Sequence, residues 1–407
     1  MTHSVRIDPG LEPIPASDPA GFIRQAFEGV PLAPLIHERL ASLRPGLAGA
    51  AGLMELGTLF QLTGEKARAL ECQRLALGAG RLFRHGRAGP GGLRLLMLVT
   101  PGDLMTNTPL ELMVEGREVE VTRLYLSADA PLPDAVPDHD LAVMAVSESD
   151  ETRPLLQQLS GLQSRWPRPM LNRASGVLEL ARDRLYRRLD DAPGVVIPPT
   201  LRLPRTALAS TGAGVSPPMI LRPVGSHAGK GLERIDDAEA LAVYLAAEPA
   251  ELFYASPFVD YAGSDGLFRK YRIALFEGRP LLCHMAVSGH WMVHYLNAGM
   301  AEDAAKRAEE QAAMEGFDQG FARRHAAAFQ ALHERIGLDY FAVDCAETED
   351  GGLLIFEADV AMIVHDLDPA ELYPYKKAQM RKVFDAFEGL LRGLAAGQPA
   401  PRLAAAN

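Results

Sequence analysis

The sequence predicts a multidomain protein that combines α/β and α+β architecture. Three observations carry that expectation. The chain has 407 residues, more than one core ordinarily holds, so two or three domains are expected. Between residues 93 and 172, strand-like apolar runs alternate with helical ones, which is the pattern of a parallel sheet with crossover helices. From residue 338 to 368, two apolar, β-prone runs flank Glu349-Asp350-Gly351-Gly352. Asp-Gly and Gly-Gly supply the positive φ angles that a hairpin turn requires.

Composition narrows the function classes. The formal net charge of −11 argues against a general nucleic-acid binder, yet it leaves room for a locally basic pocket. Cys72, Cys283 and Cys345 are too few and too scattered for a disulfide framework or a zinc site. No apolar run approaches the ~20 residues of a membrane span. The first residues carry no apolar signal core. No membrane partner is expected, and the cytoplasm is the expected location.

In chain order, residues 1–33 are rich in proline and small residues and read as an irregular arm. Residues 34–85 are helical in pattern. Within them Leu53 to Phe60, Gly64, Ala67, Ala69-Leu70 and Leu75 to Leu77 resemble a tetratricopeptide helix pair. A solenoid needs about three such units. Residues 1–90 therefore read as a helical cap on the next domain, with a peptide partner or a homodimer contact as the alternative.

A second domain is expected over residues 91–190, with strands at 93–99, 119–126, 141–146 and 169–172. Thr108-Pro109-Leu110-Glu111 reads as a helix start, with Thr as N-cap, Pro at the first position and Glu closing a capping box. Asn107 lies on the loop after the first strand, where α/β sheets bind ligands; it reads as a turn residue or as a substrate contact. A basic helix at 178–189 carries Arg182, Arg184, Arg187 and Arg188.

Residues 191–395 form the third expected domain, followed by a tail at 396–407. A short strand at 218–223 ends in Arg222. The loop Val224-Gly225-Ser226-His227-Ala228-Gly229-Lys230-Gly231 follows. It is not a Walker A loop, because its glycines are too close and no Ser or Thr follows Lys230. Its glycines still let backbone N–H groups approach phosphate oxygens, and Lys230 adds charge; an ordinary surface turn is the alternative. In the strand at 267–276, alternation puts Lys270 and Arg272 on one face and Arg269 on the other. Residues 288–300 are rich in aromatics and histidine. Zinc binding by His290 and His294 would need a helix, which the β-prone neighbours oppose, so both read as polar lining of a substrate pocket. A long helical region at 301–336 is divided at Gly316 and Gly320, and a last helix spans 369–394.

Three carboxylates mark the hairpin at 338–368. Alternation puts Glu357 and Asp359 on one face, and opposite pairing would bring Asp344 beside them. Such a trio repels itself unless a cation compensates. Mg²⁺ takes oxygen ligands and shares them with nucleotide phosphates. Solvated residues at strand ends are the alternative.

An Asp, a hairpin and then Glu-x-Asp at a strand end resemble the magnesium site of the ATP-grasp superfamily, with Asp359 where that family usually has Asn. The resemblance covers roughly residues 93–390. It implies two α+β lobes gripping ATP, an α/β domain before them, and ATP and Mg²⁺ as cofactors. Asp344, Glu357 and Asp359 would be the metal ligands. Arg184 and Arg222 would stand in for the family's lysines at the nucleotide, with Ser226, His227, Gly229, Lys230 and Gly231 at the phosphates and Phe258 and Val259 at the adenine. Arg272 matches the family's active-site arginine, with Lys270 beside it, and Asn297 resembles the family's Asn near the phosphates. Asn107, Arg269, His290 and His294 fall to the substrate. The implied activity is ATP-dependent joining of a carboxylate to an amine, of the amino-acid or peptide class, through an acyl phosphate. A kinase on the same fold and a non-catalytic, ATP-regulated peptide-binding protein are the alternatives.

Overall fold

The computed structural model describes residues 5–208, 214–226 and 229–397. The chain forms two compact units. One comprises Met1–Leu178, Leu338–Phe341 and Asp359–Asn407; the other comprises Glu179–Gly337 and Ala342–Ala358.

The first unit begins with order where the sequence suggested an irregular arm. Helix Pro19–Phe27 is started by Asp18, whose carboxylate accepts from Ala20 N at 2.9 Å, with Pro19 at the first position. That is a strong start signal, and the helix then buries Ala20 and Phe22. Helices Ala33–Ser42, Leu47–Leu62 and Lys66–Ala79 follow. The last two form a hairpin, with Gly64 in the turn and Leu56, Phe60 and Ala69 packed together. They share the unit with the sheet that follows: Gln61 and Gln73 both donate to Gly102 O, at 2.8 and 2.9 Å.

That sheet has six strands in the order Ile14–Pro15, Leu82–Gly86, Val119–Tyr125, Leu93–Val99, Leu141–Met144, Met170–Leu171. All neighbours are parallel except Leu82–Gly86 with Val119–Tyr125. His85 is thus in a strand and not in the helical run expected to reach it. The capping box at Thr108 does not form either. The local helix is only Glu111–Val114, and Thr108 Oγ1 donates instead to Ala145 O at 3.2 Å. Glu111 accepts from Arg123 Nε at 2.6 Å and lies 3.3 Å from His85 Nε2. Inside the protein a guanidinium partner outweighs a cap hydrogen bond. Burial alone would push the Glu111 carboxyl up, but Arg123 and then His85 overcome it and hold the carboxyl down at about 2.

Asn172 closes the unit. It sits at φ 62°, its amide donates to Tyr340 O at 2.7 Å, and its side-chain oxygen accepts from Tyr340 N at 2.9 Å. Helix Lys376–Ala395 buries Met380, Val383 and Phe387, and the Phe387 ring lies 5.3 Å from that of Tyr340.

The second unit holds two sheets. The first is antiparallel, in the order Leu201–Pro204, Leu252–Pro257, Met219–Pro223, Glu233–Ile235. Helix Ala238–Ala247 covers it, and Met219, Leu221, Ile235, Tyr244 and Phe253 form its core. The second sheet runs Arg279–Ser288, Phe268–Phe276, Tyr340–Glu347, Leu353–Asp359, Val195–Val196. The turn between its third and fourth strands places Gly351 at φ 83°. The fourth strand extends to Asp359, so Glu357 and Asp359 lie within its last three residues. Helices Ala304–Glu315, Phe321–Arg324 and Ala326–Ile336 follow one another, with Gly316 and Gly320 at the breaks. The architecture is the mixed α/β and α+β one that the sequence predicts. Among the described residues, no helix is long and apolar enough to cross a membrane.

Candidate functional site

The charged centre of the second unit starts from the hairpin of Phe268–Phe276 and Arg279–Ser288. Strand alternation sends Lys270 and Arg272 to one face, and both end on Asp344 of the neighbouring strand. Lys270 Nζ is 2.9 Å from Asp344 Oδ2; Arg272 Nε is 2.8 Å from Oδ1 and its Nη2 is 3.0 Å from Oδ2. The Asp344 side chain is 1% exposed. Burial would push its carboxyl up, but Arg272 and then Lys270 hold it well below the usual carboxylate range. The register shifts at this point: Arg272 faces His284 while Ile273 faces Leu282. Cys283 is the extra residue of a bulge, a device that re-aims side chains beside it.

Glu357 pairs with Arg182, whose Nη1 also donates to Phe356 O at 2.9 Å. Burial pushes the Glu357 carboxyl up, as does Asp344; Arg182 leads the groups that bring it below its ordinary value. Arg222 completes the set from the end of strand Met219–Pro223. Its guanidinium donates to Ser226 Oγ at 3.3 Å and to the Ser226 carbonyl. Burial, and then the neighbouring Arg182, push this guanidinium down to about 9, with Glu357 opposing in part. His294 is pushed down as well, by burial first and then by Lys270 and Arg272.

Four cations, Arg182, Arg222, Lys270 and Arg272, thus face two carboxylates, Asp344 and Glu357. The surplus is positive, in a chain whose net charge is −11. Such a cluster suits a polyanion.

The glycine-rich segment is the loop between the paired strands Met219–Pro223 and Glu233–Ile235. Ser226 orients Arg222, as above, and donates from Oγ to Pro223 O at 2.8 Å. Gly231, at φ 65°, accepts from Tyr244 hydroxyl at 2.7 Å, and a Cβ there would come within 2.8 Å of Pro223. Gly229 shares the left-handed conformation and Lys230 is exposed. His227 lies outside the described residues.

Several expected site residues lie elsewhere or are otherwise engaged. Arg184 lies 3.7 Å from Glu179; Arg182, two residues back on the same helix, is the cation of the cluster. Arg269 pairs with Asp265 at 2.7 Å and with Glu309. Asn107 bonds the Thr100 backbone from both ends of its amide, at 2.9 and 2.8 Å, as a turn residue does. Asp359 accepts from Ala361 N at 3.0 Å. His290 is exposed and accepts at Nδ1 from Met292 N at 3.2 Å. Asn297 is exposed in the short turn Tyr295–Asn297. The Phe258 ring packs against Trp291 at 5.8 Å and under the Arg234 guanidinium at 4.1 Å. Val259 packs on Tyr261, Ala346 and Leu354. One residue was not singled out from the sequence: His284, opposite Arg272. Its ring lies 4.6 Å from that of Tyr295, whose hydroxyl donates to the buried Glu310 at 3.1 Å.

The three carboxylates do not assemble a magnesium site here. Among the described residues, no group of three or more His, Cys, Asp or Glu side chains is gathered to hold a metal. Asp344 accepts three hydrogen bonds from two cations, close to the four or so that a carboxylate can accept. These residues, as arranged, do not fit a magnesium ion.

No family model matches the sequence, and no curated protein matches it. Solved structures to which this chain is similar include an ATP-grasp RimK domain protein from Sphaerobacter thermophilus, with 19% identity, 75% of this chain and 100% of that one covered, and a TM-score of 0.42. A D-alanine–D-alanine ligase from Bacillus anthracis, complexed with ATP, has 13% identity over 75% of this chain and 100% of its own, with a TM-score of 0.44. The VanG D-Ala:D-Ser ligase from Enterococcus faecalis has 11% identity over 74% of this chain and 99% of its own, with a TM-score of 0.46.

Proposed function

We propose that this chain is an ATP-grasp ligase that uses ATP to join a carboxylate to an amine, of the amino-acid or peptide class. One observation carries the reading. Arg222 is a largely buried guanidinium whose hydrogen bonds, among the described residues, go to Ser226 alone, and Arg182 works against its charge. A cation placed so unfavourably is stabilised when phosphate oxygens arrive. The glycine-rich loop on which Ser226 sits is the element that would close over them.

The chemistry follows from the charge pattern. The substrate carboxylate attacks the γ-phosphorus of ATP; the bond to the β-phosphate oxygen breaks and ADP leaves. The amine then attacks the acyl phosphate, the C–N bond forms, and inorganic phosphate departs with the acyl C–O electrons. Negative charge spreads over the transferring group and later over the tetrahedral oxyanion. Fixed cations stabilise both, which is most of what such a transfer asks of a protein. Arg222 and Arg182 serve the nucleotide phosphates; Lys270 and Arg272 serve the transferring group. No protein nucleophile is required.

A second reading, nucleotide binding without turnover, is favoured by the full engagement of Asp344 with Lys270 and Arg272. Release of phosphate from ATP, screened over amino acids and short peptides with mass detection of products, separates these readings. A ligase needs a carboxylate and an amine together. A kinase leaves a phosphorylated product without the amine. Nucleotide binding with no turnover on any pair would refute the ligase.

A further inference from the structure

The disagreement between the magnesium expectation and the contacts of Asp344 has a physical reading of its own. Asp344 lies in the second sheet between apolar neighbours, with Val343 and Cys345 both buried. It is held from one side by two side chains two positions apart on one strand. An Arg bound through Nε and Nη2 to both carboxylate oxygens is fixed in orientation as well as position. Lys270 joins Oδ2 from the same face, so the ammonium and the guanidinium are locked side by side. Their side chains remain 14% and 20% exposed against 1% for Asp344. The carboxylate is the hidden end of the arrangement and the cations are its open end.

We infer that Asp344 is a positioning residue that fixes Lys270 and Arg272 as a two-cation clamp for phosphoryl oxygens, and that it is not a metal ligand. This rests on the nucleotide-binding reading above, and Arg182 and Arg222 extend the same positive surface toward a polyanion. The inference makes a prediction opposite in sign to simple electrostatics. Replacing Asp344 by Asn removes a negative charge from a pocket that binds anions, so charge alone would tighten anion binding. Loss of a clamp weakens it, because two long side chains must then be ordered by the ligand itself.

The test uses the full chain and its D344N variant. AMP-PNP and pyrophosphate are titrated by calorimetry in EDTA. Mn²⁺ is then titrated, followed by electron paramagnetic resonance, into protein saturated with whichever anion binds. The expected result for D344N is anion affinity lower by about tenfold, the equivalent of one charge-assisted hydrogen bond, with Mn²⁺ affinity unchanged. Equal or tighter anion binding overturns the clamp, and so does a tenfold loss of Mn²⁺ affinity. Wild-type protein that binds pyrophosphate but not AMP-PNP removes the nucleotide reading and still judges the clamp. Binding of neither removes both. Should D344N fail to fold, K270M takes its place. The clamp then predicts weaker anion binding and unchanged Mn²⁺ affinity. Tighter Mn²⁺ binding to K270M, by an Asp344 freed for the metal, overturns it.

Discussion

Arg222→Met should make the ligand-free protein more stable and the nucleotide-bound protein less so. Burial and Arg182 push the Arg222 guanidinium down to about 9. A cation whose folded-state pKa is lowered destabilises the fold wherever it is charged in both states. That penalty is fully present below about 9 and disappears only as pH rises through the ordinary arginine range. At neutral pH it amounts to roughly 2–4 kcal/mol, after discounting for the solvent that still reaches this largely buried group. Methionine keeps an unbranched apolar stem and removes the charge. It also removes the hydrogen bonds to Ser226, about 1 kcal/mol each. The net expectation is a gain of up to about 2 kcal/mol in urea unfolding without ligand. With AMP-PNP present, the variant should lose at least about 1.4 kcal/mol of ligand-induced stabilisation, because each tenfold loss of affinity removes that much. Unfolding curves with and without AMP-PNP read both terms. A variant that is less stable without ligand, yet keeps the full ligand-induced shift, would refute the view of Arg222 as a cation waiting for an anion.

Arg182→Gln should weaken AMP-PNP binding at least about tenfold by calorimetry, through loss of a cation from the cluster, while Arg184→Gln stays within about twofold. Glu111→Gln should cost about 3 kcal/mol in urea unfolding, since it takes from Arg123 its carboxylate partner. The depressed Glu111 carboxyl also stabilises the fold fully above its ordinary 4.5 and loses that contribution as pH falls toward about 2; stability of the Gln variant should therefore vary less with pH across that window. Asn172→Ala should cost about 2–4 kcal/mol, because two backbone groups of buried Tyr340 lose their partners and Ala is strained at positive φ.

The hairpin was the most legible part of the fold. Asp350-Gly351 marked its turn, and the flanking apolar runs marked its strands. The parallel sheet was legible for the same reason, since each strand is a continuous apolar run. The misses were segments whose signal is short or shared. Leu82–Gly86 is five residues long with two charged or polar members, and it follows a helix without a change of composition. The helix at Pro19–Phe27 hid among prolines, although Asp18-Pro19 is itself a start signal. At Thr108 the local signal was real but lost to a tertiary partner: Glu111 had Arg123 available twelve residues away in sequence, on strand Val119–Tyr125.

The site was legible as to faces and not as to partners. Alternation alone separates Lys270 and Arg272 from Arg269, because a strand has a period of two and each side chain has one face to choose. A helix offers no such division at neighbouring positions: Arg182 and Arg184 are two steps apart, about 200° around the axis. Either could turn to the charged cluster, and Glu179 on the preceding turn draws one of them away. The carboxylates illustrate the same limit. Three acids at these positions require compensation, but a metal and a pair of cations on an adjacent strand meet that requirement equally well. Which one is present depends on whether Lys270 and Arg272 share a face and a neighbouring strand with Asp344, a matter of strand order that only the folded chain decides. In this chain they do. The negative charge that invites a cation is therefore met first by the protein's own side chains, and the surplus charge of the cluster is positive.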